Sequence, residues 1–157
     1  MYSFEIITVG PLKERSYRDV CDEYAKRLSA YCSLKRTELP AKKLPAEPSP
    51  AQIADALETE GKAILRAAKG AQLIALCVEG KRYDSVTFAA ELQKFADAGK
   101  VAFVIGSSYG LSDEVKGASR LRLSVSDFTF PHAMMQPILY EIVYRSCNII
   151  AGGKYHK

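Results

Sequence analysis

The chain has 157 residues, of which 48% are hydrophobic and 25% charged, and its formal net charge is +4. This balance predicts one folded domain over residues 1–157 with one sizeable core, and it excludes a disordered or fibrous chain. The mild positive charge permits an anionic partner without marking a dedicated nucleic-acid coat, and no apolar run approaches the roughly 20 residues of a membrane span.

Residues 4–9 are a β-branched run ended by Gly10-Pro11, which predicts a strand and a breaker. Tyr17, Val20, Cys21, Tyr24, Leu28 and Tyr31 recur at helical spacing and predict one buried helix face. A second strand is expected over residues 34–39. Residues 40–50 contain four prolines, which forbid helix or central strand. With Lys42 and Lys43, this loop reads either as a mobile, substrate-facing segment or as plain variable surface. Ser49, Pro50 and Gln52 form a helix start with a capping box. Ile53, Leu57, Ile64 and Ala68 are its stripe, and Gly70 its end.

Residues 73–78 are continuously apolar, as strands covered on both faces are. Ser85 is expected to cap a third helix, with Phe88, Leu92 and Phe95 inward and Gly99 as its stop. Residues 101–105 repeat the apolar strand pattern, and Ser112 begins a short helical turn. A fifth strand is expected over residues 121–125. A long helix over residues 133–150 carries two apolar faces. Met135, Leu139, Val143 and Cys147 make one, and Met134, Ile138 and Ile142 the other. The second face is covered either within the chain or by another subunit. Five βα units with apolar strands predict an α/β fold, a mainly parallel sheet flanked by helices.

Several site types are excluded by motif. There is no G-x-G-x-x-G after the first strand, no G-x-x-x-x-G-K-[ST] and no G-x-S-x-G elbow. Four cysteines without a C-x-x-C pair, and two histidines away from them, argue against a metal centre. The start Met1-Tyr2-Ser3-Phe4-Glu5 has no signal-peptide pattern, so a reducing, cytoplasmic setting is expected.

The positive clues are positional. Ligands of open α/β sheets bind beyond the carboxyl ends of strands. Three strands are expected to end at Val78, Ile105 and Val125, before Glu79-Gly80, Gly106-Ser107 and Ser126-Asp127. Small residues there bare the backbone to a ligand, while Leu76, Phe128 and Phe130 supply apolar walls. Such a pocket suits a nucleoside and is poor for a triphosphate. Each turn alone also reads as a tight connection. His132, at the start of the last helix, is a candidate proton acceptor or a packing residue. His156 lies in the tail Gly152-Gly153-Lys154-Tyr155-His156-Lys157, and tails ordinarily fray. Glu141 and Arg145 are spaced to pair along the helix for ~0.2–0.5 kcal/mol, and with Tyr144 they are placed to face an anionic substrate.

Six segments together carry a resemblance over nearly the whole chain. They are Val9-Gly10-Pro11-Leu12-Lys13-Glu14, Glu23-Tyr24-Ala25-Lys26-Arg27-Leu28 and the run from Phe103 to Leu111. The others are Phe130-Pro131-His132-Ala133-Met134-Met135, Glu141-Ile142-Val143-Tyr144-Arg145 and Lys154-Tyr155-His156-Lys157. The chain resembles the ribosomal RNA large subunit methyltransferase H family of the SPOUT superfamily. The resemblance implies a C-terminal deep trefoil knot, which ordinary rules of chain connection do not anticipate. It implies a homodimer packed through the last helix, and S-adenosylmethionine contacted by Leu76, Gly106, Val125, Ser126, Asp127, Phe128, Thr129 and Phe130. It also implies methylation at N3 of a pseudouridine in 23S ribosomal RNA, on assembled ribosomes. His132 and His156 are then the candidate bases or substrate positioners, and Arg145, Lys154 and Tyr155 hold RNA.

Two alternatives stay open. One keeps the fold with a different RNA target, and the other is a non-catalytic ribosome-binding factor. The chain also departs from the family pattern. Ser107 stands where a second Gly is usual, and Gln136-Pro137 follows the two methionines where Arg is usual.

Overall fold

The computed structural model describes residues 1–157. Five strands, β1 (Tyr2–Val9), β2 (Cys32–Leu39), β3 (Gln72–Lys81), β4 (Val101–Ile105) and β5 (Leu121–Leu123), form one sheet in the order β2-β1-β4-β3-β5. Every neighbouring pair is parallel. Helices α1 (Arg15–Leu28), α2 (Pro50–Ala67), α3 (Ser85–Ala98), α4 (Asp113–Ala118) and α5 (Met135–Ile150) alternate with the strands. The expected βα alternation and parallel sheet are both present.

Strand alternation divides the core in two. Phe4, Ile6, Ile74, Phe103 and Ile105 point to a layer closed by α1, α3 and α5 through Cys21, Leu28, Leu92, Leu139 and Val143. Ile7, Val9, Ala75, Ala102 and Val104 point to the opposite layer, closed by Ile64 of α2 and Val115 of α4. All five residues of β4 are buried, as a strand covered on both faces must be. The four cysteines are free and buried. Burial pushes the Cys21 and Cys32 thiols up to about 11 and Cys147 to about 12, so these are packing residues and not nucleophiles.

Local chemistry explains most boundaries. The α2 capping box is complete, with Gln52 N–H donating to Ser49 Oγ at 3.2 Å and Ser49 N–H to Gln52 Oε1 at 2.8 Å. Asp84, and not Ser85, caps α3, accepting from Thr87 N–H at 2.7 Å. A carboxylate one residue earlier reaches the third helical amide, and charge strengthens that bond. Val20 is exposed and Tyr31 lies beyond the end of α1, so the α1 stripe is narrower than its spacing predicts. β5 stops at Leu123 rather than residue 125. The last helix begins at Met135, after a 3-10 turn over His132–Met134. Pro137 is the third residue of α5, where a backbone N–H has no intrahelical partner to lose.

The proline-rich loop is stapled down. Lys42 N–H donates to Glu60 Oε2 at 3.1 Å and its ammonium pairs with Asp55, so both contacts tie the loop to α2. Glu60 is itself buried, and its second carboxylate oxygen has no partner.

Glu5 is fully buried on β1. Thr37 donates to it at 2.6 Å, Lys100 at 2.5 Å and Lys35 lies at 3.2 Å. Burial alone works to raise this carboxyl, but the bonds from Lys100, Thr37 and Lys35 outweigh it and hold the group below its ordinary range. Glu5→Gln is therefore expected to lose about 1.5–3 kcal/mol of stability at pH 7, the range for bonds to charged groups. The wild-type advantage is full above the ordinary carboxylate value near ~4.3. It fades as pH falls through the depressed folded-state value. Urea unfolding of both proteins between pH 3 and pH 7 measures it.

Candidate active site

Parallel pairing brings the carboxyl ends of β3, β4 and β5 to one edge of the sheet. There β3 departs from regularity. Leu123 is in register with both Leu76 and Lys81, so the segment between them bulges outward. Gly80 closes that bulge against β5. A Cβ on it would lie 2.7 Å from the Arg122 carbonyl, closer than real side chains come. Bulges re-aim chain beside functional sites, and this one opens a cavity of about 240 Å³.

The cavity is built from three loops. Leu76, Cys77 and Val78 form the β3 side, and Ile105 with residues 106–108 and Gly110 the β4 side. The segment after β5 supplies Val125, Ser126, Phe128, Thr129 and Phe130. His132 and Met135 close it from the start of α5. Gly106 is there because of close approach. A Cβ on it would fall 2.2 Å from the Gly110 carbonyl oxygen. Ser107 accepts the Gly110 N–H at 2.8 Å through its carbonyl, and no non-glycine residue has positive φ. The side chain at 107 is thus carried on ordinary backbone. Ser126 Oγ accepts the Phe128 N–H at 3.0 Å, which turns Phe128 out into solvent at 82% exposure.

Seven of the eight residues expected around a cofactor border this cavity. Asp127 is the exception. Its carboxylate is largely exposed and pairs with Arg82. Its pairing with Arg82 draws the side chain away from the cavity that its neighbours line.

His132 is half-buried at the cavity wall, and burial holds its pKa below the ordinary value. The imidazole is therefore neutral at pH 7 and can accept a proton.

A second cavity, of about 270 Å³, shares Leu123, Ser124 and Val125 with the first. The start of α3 (Tyr83, Asp84, Ser85) and one side of α5 (Ile138, Ile142, Arg145) form its remaining walls. Nothing in the spacing of the chain marks this second space, because its walls come from segments about sixty residues apart.

Arg145 brings the tail to this place. Its Nη2 donates to Glu141 Oε1 at 2.6 Å, and its Nη1 lies 3.2 Å from His156 Nδ1. The Tyr155 hydroxyl donates to the same Glu141 oxygen at 3.0 Å and meets the Tyr24 hydroxyl at 3.3 Å. Those two bonds, with burial, raise the Tyr155 pKa and keep the phenol protonated. The tail is docked, contrary to the fraying that chain ends ordinarily show. Lys154 is exposed, and none of Lys154, Tyr155 and His156 lines either cavity; of the expected tail-side residues only Arg145 does.

Comparison with known proteins places this geometry in a family. Residues 2–156 match the family described as predicted SPOUT methyltransferase. The chain belongs to the SPOUT methyltransferases. It is 43% identical over 155 residues to the ribosomal RNA large subunit methyltransferase H of Exiguobacterium sibiricum, covering 97% of this chain and 98% of that protein. It is 44% identical over 158 residues to the protein of the same name from Bacillus thuringiensis subsp. konkukian, covering 99% of each. Among solved structures, the SpoU methyltransferase AviRb of Streptomyces viridochromogenes, in complex with AdoMet, aligns with a TM-score of 0.49 at 16% identity. That alignment covers 98% of this chain and 60% of the other.

The depressed His132 pKa has a direct test. In a proton NMR titration the His132 ring is expected to reach its midpoint below the ordinary value of about 6.5. A midpoint at or above that value contradicts the downward shift by burial.

Proposed function

We propose that this chain, a single domain over residues 1–157, transfers the methyl group of S-adenosylmethionine to N3 of a pseudouridine in 23S ribosomal RNA on assembled ribosomes. The observation that carries the reading is the pair of cavities on either side of Leu123–Val125. One suits a nucleoside cofactor and the other a pyrimidine, with a single thin wall between them. Relatives named ribosomal RNA large subunit methyltransferase H, similar over nearly their full length, support methylation of large-subunit ribosomal RNA.

The first cavity fits the cofactor by its composition. Leu76, Phe130 and Met135 offer apolar surface to an adenine, and the bare backbone around Gly106 offers the amide and carbonyl groups that read its edge. Its side chains include no carboxylate or ammonium. When bound, S-adenosylmethionine supplies a sulfonium-activated methyl group, and the rest falls to alignment and removal of one proton. Leu76, Gly106, Val125, Ser126, Phe128, Thr129 and Phe130 hold the donor, with Asp127 contributing through backbone. Arg145 donates toward the base, while Tyr155 and Lys154 lie along the RNA path.

His132 and His156 are the two candidates for accepting the N3 proton, and His156 does so only once its Nδ1 is released from the Arg145 N–H. His132 stands in the donor cavity and is neutral at pH 7, whereas His156 lies behind Arg145, which lines the acceptor cavity. The half-exposed α5 face of Met134, Ile138 and Ile142 is the surface through which two copies pair. The deep trefoil knot belongs to the same proposal. The same reading includes a cytoplasmic setting, where a ribosomal substrate is met.

The deciding experiment is transfer of labelled methyl to ribosomes lacking the modification, compared with free 23S RNA. Transfer to ribosomes at a single pseudouridine is expected. Methyl at another nucleotide favours a different RNA target, to which Gln136 would contribute. Ribosome binding indifferent to the cofactor, without transfer, favours a binding factor. Gly106→Ala is expected to weaken cofactor binding at least about tenfold in calorimetry, because its Cβ must displace the loop. His132→Ala and His156→Ala separate the two bases. Loss of the true base lowers kcat by about 10²–10⁴ with cofactor affinity retained.

A further inference from the structure

One buried side chain fixes the whole tail. α5 closes in a Schellman turn. Gly152 has φ 70° and its N–H reaches Ile149 C=O at 3.0 Å, while Gly153 N–H reaches Asn148 C=O at 2.8 Å. The Asn148 side chain then uses both ends of its amide. Oδ1 accepts the Tyr155 N–H at 3.0 Å, and Nδ2 donates to the Tyr31 hydroxyl at 3.0 Å. Asn148 is only 8% exposed, so neither bond competes freely with water. A flipped amide would set N–H against N–H at Tyr155, which fixes its orientation.

Gly153 completes the bracket. A Cβ there would lie 2.3 Å from Asn148 Nδ2 and 2.5 Å from Oδ1, so any larger residue displaces either the amide or the chain. Asn148 thus holds the chain at residues 153 and 155. His156 is the next residue, 3.2 Å from Arg145. The guanidinium carbon of Arg145 also sits 4.5 Å from the Tyr155 ring centre.

We propose that Asn148 is a positioning residue for methyl transfer. Through Tyr155 and Gly153 it sets where His156 stands relative to Arg145 at the second cavity, without touching donor or acceptor. Its anchor is Tyr31, in the turn between α1 and β2, itself bonded to Leu28 and to the first strand through Tyr2. Helix α5 would close without this amide, since the Schellman bonds use only backbone. The amide instead governs the path of residues 153–156 beyond the helix. The proposal rests on the reading that Arg145 and His156 act on the RNA base.

The test uses full-length protein and unmodified ribosomes. Asn148→Ala is expected to lower kcat about tenfold or more, as misplacement of a catalytic group does. The dissociation constant for S-adenosylmethionine should stay within about twofold of wild type, since the first cavity is untouched. The ring resonances of His156 should move toward random-coil positions, and carboxypeptidase should release Lys157 and His156 faster. Asn148→Asp keeps an acceptor for Tyr155 and accepts from Tyr31 with its hydroxyl reversed. It is expected to restore most of kcat and the native His156 resonance. Gly153→Ala displaces the same contact from the other side and should reproduce Asn148→Ala, which covers a poorly folding Asn148 variant. Unmoved His156 resonances in both Asn148→Ala and Gly153→Ala would overturn the positioning role. So would a freed tail with kcat unchanged. A wild-type protein that binds no cofactor and methylates no ribosome would instead overturn the reading beneath it.

Discussion

Parallel pairing of β4 between β1 and β3 is the constraint on which the other features depend. A parallel strand needs both faces covered, and β4 has no exposed residue. One layer therefore comes from α1, α3 and α5, and the other from α2 and α4. Parallel order also sends every strand's carboxyl end to the same edge. The loops after β3, β4 and β5 must then meet, because those strands are neighbours in the order β4-β3-β5. The cavity is a consequence of that meeting, enlarged by the bulge in β3 and kept narrow at Gly106 and Gly80, where no Cβ fits.

The buried polar groups divide by purpose. Glu5 sits on a face of the central sheet, and three donors satisfy it. Such a carboxylate specifies how β1, β2 and the residue before β4 come together, at a desolvation cost that an apolar residue would avoid. Asn148 is satisfied in the same way with a different result. Its bonds order a segment that has no secondary structure of its own. Neither group contributes much through contact area. Each limits the arrangements open to the chain around it.

Much of this was legible in the sequence, for identifiable reasons. Continuous apolar runs marked β3 and β4, the capping box marked α2, and the loops beyond three strands marked the cavity, although only the Ile105 end stands where it was expected; β3 runs on to Lys81 rather than Val78 and β5 stops at Leu123. Those signals are local or periodic, so spacing carries them. The docked tail was not legible, because what fixes it is Tyr31 and Tyr24, more than a hundred residues away. Gly152 and Gly153 do spell a helix-closing turn, but not where the chain goes afterwards. The second cavity was hidden for the same reason. Asp127 was expected at the cavity because the residues on either side of it line that cavity. Arg82, forty-five residues earlier, decides which way its side chain turns.

The chain's two departures from the family pattern also differ in weight. Ser107 costs nothing in backbone, since no non-glycine residue has positive φ. Pro137 is equally cheap as the third residue of α5, and its ring is buried. Gln136, neutral where the family resemblance implies Arg, follows Met135 in the chain but is not among the residues that line the first cavity. Arg145 is the cation at the wall of the second. Glu141 occupies its Nη2 and Nε, and His156 Nδ1 lies against Nη1, so Arg145 keeps only its remaining terminal N–H groups, and no free charge, for anything else. A phosphate would want the unpaired charge. A pyrimidine carbonyl is served by one such N–H. The electrostatics at that wall therefore favour reading a base over gripping a backbone, and attraction to the rest of an RNA has to come from surface cations elsewhere on the molecule.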